Sequence, residues 1–300
     1  MGYTFDTMVQ VSVIRGENRR ENVRRAIEAL PPDVLAGLVS ARSVLIKPNL
    51  VHHLNQLAST HADAVRAVLD VVRSKTAAPV VIADASYHGT KAAFRHFGYE
   101  NLPGEYPDVR LFDLNDDATV PGTYVKRDGS LGPMGIAKTV AESDFTVDLT
   151  VMKTHRDVGV SLCVKNWTIG TWVAASSIGL SGRIWARAPY LHAQGNDAHH
   201  ETIAELLRQT KPDLCVVDAF LAMEGDGPTH GDPVEMKLAL AGTDAVAVDS
   251  IGCRLMGIDP SGIRYLALAS QRGYGVLDET RIDVVGETDW KRSIKFFVRP

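Results

Sequence analysis

The chain has 300 residues, of which 45% are hydrophobic and 23% are charged, and its formal net charge is −4. This slightly acidic balance disfavours nucleic-acid binding, and no apolar run approaches the length of a membrane span. Residues 1–6 lack the basic and apolar segments of a signal peptide, so we expect a cytoplasmic protein with no membrane partner.

The three cysteines, Cys163, Cys215 and Cys253, lie far apart in the chain, each inside an apolar stretch. The sequence contains no Cys-x-x-Cys pair. This distribution disfavours a structural zinc site, a cysteine-ligated iron–sulfur cluster and a disulfide framework.

In the first half of the chain, short β-branched runs alternate with amphipathic helical patterns. Strands are predicted at 9–14, 44–46, 79–84, 109–114 and 145–150, and helices at 18–30, 60–74 and 91–97. Thr60 is the expected N-cap of the second of these helices. Alternation of strand and helix at this spacing indicates parallel βαβ units.

The second half begins with an irregular segment, residues 172–197, which contains Trp172, Trp185, Arg183 and Arg187. A long irregular insertion is typical of a lid or a binding loop. Helices are then predicted at 197–208, 243–256 and 260–271, and strands at 214–217, 234–240 and 282–285. The predicted fold is a single α/β unit over residues 1–300, with a mostly parallel or mixed sheet and flanking helices. We expect two interleaved lobes, 1–150 and 151–300, around a cleft.

Ligands of open α/β sheets bind at the carboxyl ends of the strands. Four of these predicted strand ends carry ionisable residues, in Lys47-Pro48-Asn49, Asp84-Ala85-Ser86-Tyr87-His88, Lys153-Thr154-His155 and Asp218. Solvated charges at strand ends are one explanation, and a functional site at this edge is the explanation we favour.

The candidate catalytic residues are His155, Lys153 and Lys165, with His155 as general acid and base. The candidate substrate-binding residues are Lys47, Asn49, Asn166, Glu224 and Trp167. For Trp167, as for Trp172 and Trp185, an ordinary place in the core is nearly as good an explanation as closure over a ligand.

A metal site is a further hypothesis, with His155, His200 and Asp218 as ligands of one divalent ion, either Fe, Mn or Zn. Neighbouring histidines on a helix point in different directions, so His199 is expected to face solvent. No phosphate-loop, dinucleotide-binding or nucleophile-elbow motif is present.

The sequence resembles the family catalogued as domain of unknown function 362, and the resemblance runs in order over most of the chain. It is carried by Val44-Leu45-Ile46-Lys47-Pro48-Asn49-Leu50, Lys153-Thr154-His155, Ser161-Leu162-Cys163-Val164-Lys165-Asn166, His200, Val217-Asp218-Ala219-Phe220, Met223-Glu224-Gly225-Asp226-Gly227-Pro228, Asp244-Ala245-Val246-Ala247-Val248-Asp249 and Gly257-Ile258-Asp259-Pro260. The resemblance implies the fold rather than a reaction. Family members often carry a ferredoxin-like segment with clustered cysteines, which this chain lacks, so no iron–sulfur cluster is expected.

Together these patterns favour a small-molecule enzyme that acts on a polar or carboxylate-bearing substrate by acid/base chemistry, with or without a divalent metal. An isomerase, a lyase or a metal-dependent enzyme fits this description. The alternative is a non-catalytic protein that binds or carries a ligand, a metal or a cofactor. A small-molecule ligand is the expected partner, and self-association into a homo-oligomer stays open.

Overall fold

A computed structural model of the protein describes residues 8–86, 88–173, 187 and 190–299. The strands in this part of the chain are β1 (Val9–Arg15), β2 (Val44–Pro48), β3 (Val80–Asp84), β4 (Val109–Asp113), β5 (Thr119–Val125), β6 (Leu131–Ala137), β7 (Phe145–His155), β8 (Gly159–Ser161), β9 (Trp172–Val173), β10 (Leu214–Glu224), β11 (Asp232–Gly242) and β12 (Ile282–Gly286). The α-helices are α1 (Arg19–Glu28), α2 (Ala36–Ser40), α3 (Ala62–Lys75), α4 (Thr90–His96), α5 (Leu102–Glu105), α6 (Lys138–Glu142), α7 (Cys163–Gly170), α8 (Asn196–Gln209), α9 (Ala245–Leu255) and α10 (Arg264–Gln271).

The central sheet has the strand order β12-β1-β11-β10-β7-β2-β3-β4, and β8 pairs with β7 outside this path. Strands β10, β7, β2, β3 and β4 run parallel to one another, whereas β11 is antiparallel to both β1 and β10. The structure therefore confirms the predicted α/β class with a mostly parallel, mixed sheet. The carboxyl ends of the parallel strands meet at one edge, which is where the site residues were expected.

Helices cover both faces of this sheet. On one face α1 and α3 pack Val23, Ile27 and Val68 against the strands. On the other face α7, α8, α9 and α10 enclose a second cluster, which includes Val164 and Ile251. Because the parallel strands are buried on both sides, they appear in the sequence as continuous apolar runs rather than alternating ones.

A second, three-stranded sheet with the order β5-β6-β9 was not predicted. Its strands contain Pro121 and Gly122 in β5, and Gly132 and Pro133 in β6. These residues argue against strands in a sequence because proline lacks a donor and glycine is flexible. Here glycine has a packing reason, since a Cβ on Gly122 would lie 2.8 Å from Ile136 Cγ1.

β7 and β10 extend furthest beyond their predicted ends, and one predicted cap is wrong. β7 continues to His155 and β10 to Glu224, so Lys153 and His155 are strand residues. The N-cap of α3 is His61, whose side chain accepts from Asp63 N, rather than Thr60. The Thr60 hydroxyl instead accepts from Asn49 N at 2.9 Å and donates to Leu149 O at 3.0 Å.

In the described part of the chain, the helices are too short or too polar to cross a membrane. Most of the irregular segment 172–197, including Trp185 and Arg183, lies outside the described residues.

Candidate functional site

A cavity of about 240 Å³ opens at the carboxyl edge of the sheet. Among the residues that line it are four sequence-predicted site residues, which are Asn49, His155, Lys165 and Asn166. They come from three separate stretches of the chain, at the end of β2, the end of β7 and the middle of α7. The parallel sheet thus brings together residues that are more than a hundred positions apart, as the strand-end argument requires.

Beneath the cavity lies a buried ion pair. Lys47 Nζ lies 2.7 Å from Asp84 Oδ1 and donates to Asn166 Oδ1 at 2.9 Å. Asp84 Oδ2 accepts from Leu50 N at 2.8 Å, so both carboxylate oxygens have partners. Lys47 itself has no exposed surface and does not line the cavity. Its contacts fit a residue that holds the site together rather than one that touches a ligand.

A second buried lysine extends this network. Lys153 Nζ donates to Asn49 Oδ1 at 2.7 Å and also to Ala58 O. Asn49 Nδ2 in turn donates to Asn166 Oδ1 at 2.7 Å. Burial lowers the pKa of Lys153 well below its usual value, and the charge of Lys165 lowers it further. Lys153 lies behind Asn49 and, like Lys47, is absent from the cavity lining.

Two cations line the cavity without a carboxylate contact among the described residues. Lys165 is partly open to the cavity, and its ammonium group makes no hydrogen bond to the described residues. Burial lowers the pKa of Lys165 to about 8. Arg187 donates to the carbonyl oxygens of Ile169 at 3.2 Å and Ala85 at 2.9 Å, which are neutral acceptors. Burial lowers the pKa of Arg187 to about 10.

His155 presents a hydrogen-bond donor rather than a lone pair. Its Nδ1 accepts from Asp157 N at 3.1 Å, so the neutral ring carries its hydrogen on Nε2. Burial lowers the pKa of His155 well below its usual value, and the nearby charge of Lys165 acts in the same direction. The ring is therefore neutral, and Nε2–H is its polar group that is free to meet a ligand.

His199, which the sequence placed in solvent, is buried and lines the cavity. Its ring meets that of His192 edge-on at a centroid distance of 5.4 Å. Burial lowers the pKa of His199 to about 3, and its buried Nε2 has no partner among the described residues. The prediction was wrong. Neighbouring residues on α8 do point in different directions, but the face of α8 that carries His199 is the one that meets the cavity.

The sequence profile of the family described as "Domain of unknown function (DUF362)" matches residues 44–254. The chain belongs to this family. That match contains Asn49 after β2 and the cavity residues of β3, β7, α7 and α8, and it confirms the resemblance inferred from the sequence.

One relative and two solved structures are similar to this DUF362 protein. A thylakoid-associated protein of Synechocystis is 26% identical over 235 residues, which are 77% of this chain and 68% of the relative. The lactate racemase apoprotein of Thermoanaerobacterium thermosaccharolyticum has a TM-score of 0.47 at 16% identity, covering 84% of this chain and 57% of that one. A Thermotoga maritima protein has a TM-score of 0.40 at 12% identity, covering 86% and 60%.

His200 and Asp218, which were proposed as metal ligands together with His155, lie away from the cavity of this DUF362 protein. The ring of His200 stacks on Tyr265 at a centroid distance of 6.0 Å. Asp218 lies 3.1 Å from the Nε atom of Arg19. Neither residue lines the cavity, and the Nε2–H tautomer of His155 does not suit a ligand role. The structure does not bring this set together.

Two predicted substrate-binding residues also lie away from the cavity. Trp167 is buried in the core, where its Nε1 donates to Thr210 Oγ1 at 2.6 Å. Glu224 Oε2 accepts from Val298 N at 2.8 Å. The turn that follows Glu224 does reach the cavity through Pro228 and Thr229. The position after a strand thus located the turn correctly, but not the residue that faces the cavity.

A different group of residues in this DUF362 protein is placed so that it could hold a metal ion. Asp148, Cys163 and Cys215 each offer one ligand atom, and these atoms lie within 4.8 Å of one another. All three side chains are buried. The two cysteines are far apart in the sequence, so the sequence did not indicate this arrangement. They meet because β10 and the start of α7 both lie next to β7.

Proposed function

We propose that the protein is an enzyme that binds a small, carboxylate-bearing molecule in this cavity and transfers a proton within it. The observation that carries the proposal is the pair of cations, Lys165 and Arg187, which line the cavity without a carboxylate contact among the described residues. Burial of a charge is costly, and Asp157 near Lys165 and Asp84 near Arg187 offset only part of that cost, since the pKa of each cation stays lowered. An anionic ligand in contact with both cations would offset the rest.

The size of the cavity limits the ligand. A volume of about 240 Å³ lies just below the range of typical drug-sized ligand sites. A mono- or dicarboxylic acid of few carbon atoms fits this space. The asparagines Asn49 and Asn166 add neutral polar groups to the wall, which suits a substrate with hydroxyl or carbonyl oxygens.

The local chemistry assigns different roles to the two central residues. With a pKa of about 8, Lys165 is mostly charged at pH 7 and attracts an anion, and its neutral minority serves as the general base. Its Nζ takes a proton from a substrate carbon, the electron pair of that C–H bond places negative charge on a substrate oxygen, and Nζ then returns a proton to carbon. The Nε2–H group of His155 donates to that oxygen, as a neutral imidazole does in other enzymes. Arg187 binds the carboxylate.

The buried network keeps these groups in place. Asn166 follows Lys165 directly on α7, and Asn166 Oδ1 accepts from both Lys47 and Asn49. Rotation of α7 would break both contacts, so the network fixes the direction in which Lys165 points. In this proposal Lys47 and Lys153 act through Asn166 and Asn49 and not on the substrate.

The experiment measures, on the same samples, the exchange of carbon-bound hydrogen with solvent and the binding of the ligand. Malate, succinate and their amides are incubated in D2O with the wild type, with Lys165→Met and with Arg187→Met, and exchange is read by NMR. Lys75→Met, which removes an exposed lysine at the end of α3, is the charge-matched control. We expect exchange of an acid with the wild type and the control, and at least a tenfold loss with Lys165→Met.

The outcomes separate the two functions. Binding of the acids without exchange in any variant supports a non-catalytic carrier. Equal binding of acids and amides, or exchange that persists in Lys165→Met, contradicts the proposed roles.

A further inference from the structure

The buried group formed by Asp148, Cys163 and Cys215 is not used by the proposed reaction. Its three ligand atoms lie within 4.8 Å of one another. We propose that these residues form a binding site for a thiophilic divalent cation, for which Zn²⁺ is the probe. This inference does not depend on the proposed function, since the three residues lie behind the cavity lining.

The fold places the three residues together through strand pairing and one helix start. Cys215 of β10 stands directly opposite Asp148 in the parallel pairing with β7. Cys163 is the first residue of α7, and its backbone N–H donates to Asp249 Oδ1 at 2.7 Å. Val164 N donates to the other oxygen of Asp249 at 3.0 Å, so this carboxylate from α9 fixes the start of the helix. The position of Cys163 is therefore set by contacts outside the proposed site.

The two carboxyl oxygens of Asp148 are unevenly partnered. Burial raises the pKa of this carboxyl, and the neighbouring Cys163 thiol acts to lower it. Asp148 Oδ1 accepts from Asn166 Nδ2 at 2.6 Å, whereas Oδ2 is buried with no hydrogen-bond partner among the described residues. Buried polar atoms are nearly always partnered, because an unpartnered one costs about 1–3 kcal/mol. A cation bound to Oδ2 would provide the missing interaction.

The donor set favours zinc over the hard cations. Thiolate sulfur is a ligand for Zn²⁺, and a tetrahedral shell would need one further ligand beside these three. Mg²⁺ and Ca²⁺ take oxygen ligands instead, so they serve as negative controls. Two thiolates and one carboxylate carry three negative charges. The cation and the nearby charge of Lys47 oppose them, whereas Asp249 of α9 is a further acidic group close to the site.

Zn²⁺ binds the deprotonated forms of cysteine and aspartate, so loading of this site competes with protons.

The test loads the cation during folding because the site is closed to solvent. The full chain is expressed with added Zn²⁺ or Co²⁺, purified without chelator, and its metal content is measured by mass spectrometry. Cys163→Ser and Cys215→Ser are compared with Cys253→Ser, which changes a buried cysteine outside the group. We expect about one Zn²⁺ per chain in the wild type and in Cys253→Ser, and at least a tenfold decrease in the other two.

The cobalt-loaded wild type gives a second readout that needs no variant. We expect the wild type to show the near-ultraviolet charge-transfer absorption of Co²⁺ bound to thiolate. This readout remains valid even if Cys163→Ser or Cys215→Ser fails to fold. A wild type without metal, metal retained in both serine variants, or bound Co²⁺ without this absorption would overturn the proposal. Fewer than three free thiols after unfolding in chelator would also overturn it, because that result indicates a disulfide.

Discussion

Lys47 Nζ lies 2.7 Å from Asp84 Oδ1, and the two side chains are 0% and 5% exposed. A pair so thoroughly removed from water depends on both partners, since either charge alone would be buried without compensation. The pair also reaches the cavity lining, because Lys47 donates to Asn166 and Asp84 lines the cavity itself. Stability and the shape of the site are therefore coupled at this point.

Removing the charge of Asp84 should destabilise the protein strongly. We expect Asp84→Asn to lower the free energy of unfolding by about 3–5 kcal/mol, because it leaves the Lys47 ammonium buried and unpaired. Urea unfolding followed by circular dichroism measures the change. The exposed pair Lys91–Asp116 is the control, for which Asp116→Asn should cost less than about 1 kcal/mol. Similar losses in the two variants would show that burial of the Lys47–Asp84 pair is not what matters.

The buried charge of Lys165 should lower the free energy of unfolding of the wild type. Its pKa is about 8 in the folded protein and near 10.5 in the unfolded chain, so the folded state disfavours the charged form. We expect Lys165→Met to be more stable than the wild type by about 1–2 kcal/mol at pH 7, a value reduced for the partial opening to the cavity.

The sign of the pH dependence follows from the same shift. Between pH 8 and 10.5 the unfolded chain binds more protons at Lys165 than the folded protein does, so wild-type stability rises relative to the variant. Urea unfolding of both proteins at pH 7 and pH 10 measures the free energy of unfolding. The difference in this free energy between Lys165→Met and the wild type should be smaller at pH 10 than at pH 7. A difference that widens with pH would contradict the lowered pKa of Lys165.

Lys165 should also react with amine reagents at an unusually low pH. Acylation by acetic anhydride requires the neutral amine, so the reaction rate at Lys165 should rise with a midpoint near pH 8. Peptide mass spectrometry over a pH series gives this midpoint, with the exposed Lys75 as the internal reference. A common midpoint for Lys165 and Lys75 would remove Lys165 as the general base.

The turn after β10 should tolerate no side chain at Gly227. A Cβ there would lie 2.0 Å from Thr154 O, a backbone atom of β7 that cannot move aside. We expect Gly227→Ala to cost about 3 kcal/mol in the free energy of unfolding and to weaken ligand binding through Pro228. Gly104 of α5 has no atom within 4 Å of such a Cβ, so Gly104→Ala should be neutral or stabilising. Equal effects of the two substitutions would contradict this packing argument.

The sequence located the edge of the sheet at which the cavity lies. Asn49 and His155 lie at strand ends, and parallel strands place such positions together without any knowledge of side-chain contacts. Lys165 and Asn166 were indicated by a different signal, the apolar run that precedes them, and they lie on α7. The same reasoning could not separate residues that face the cavity from those behind it. Lys47 and Lys153 carry the right chemistry, but their ammonium groups point into the protein, which depends on contacts to Asp84 and Asn49.

Other features depend on tertiary contacts that no local pattern reveals. The choice between His199 and His200 follows from the face of α8 that meets the cavity. Arg187 belongs to a segment without a regular period, so its place in the wall could not be derived. The sulfur atoms of Cys163 and Cys215 lie within 4.8 Å of each other. They do so because α7 and β10, which carry them, both lie next to β7.

The central claim is that Lys165 and Arg187 recognise an anionic ligand, and equilibrium binding tests it most directly. The affinities of malate and its diamide are measured by NMR titration with the wild type, Lys165→Met and Arg187→Met at pH 7. The account predicts that malate binds the wild type at least tenfold more tightly than the diamide does, and that either substitution removes this preference. A wild type that does not distinguish acid from amide, or a preference that survives in both variants, would contradict it.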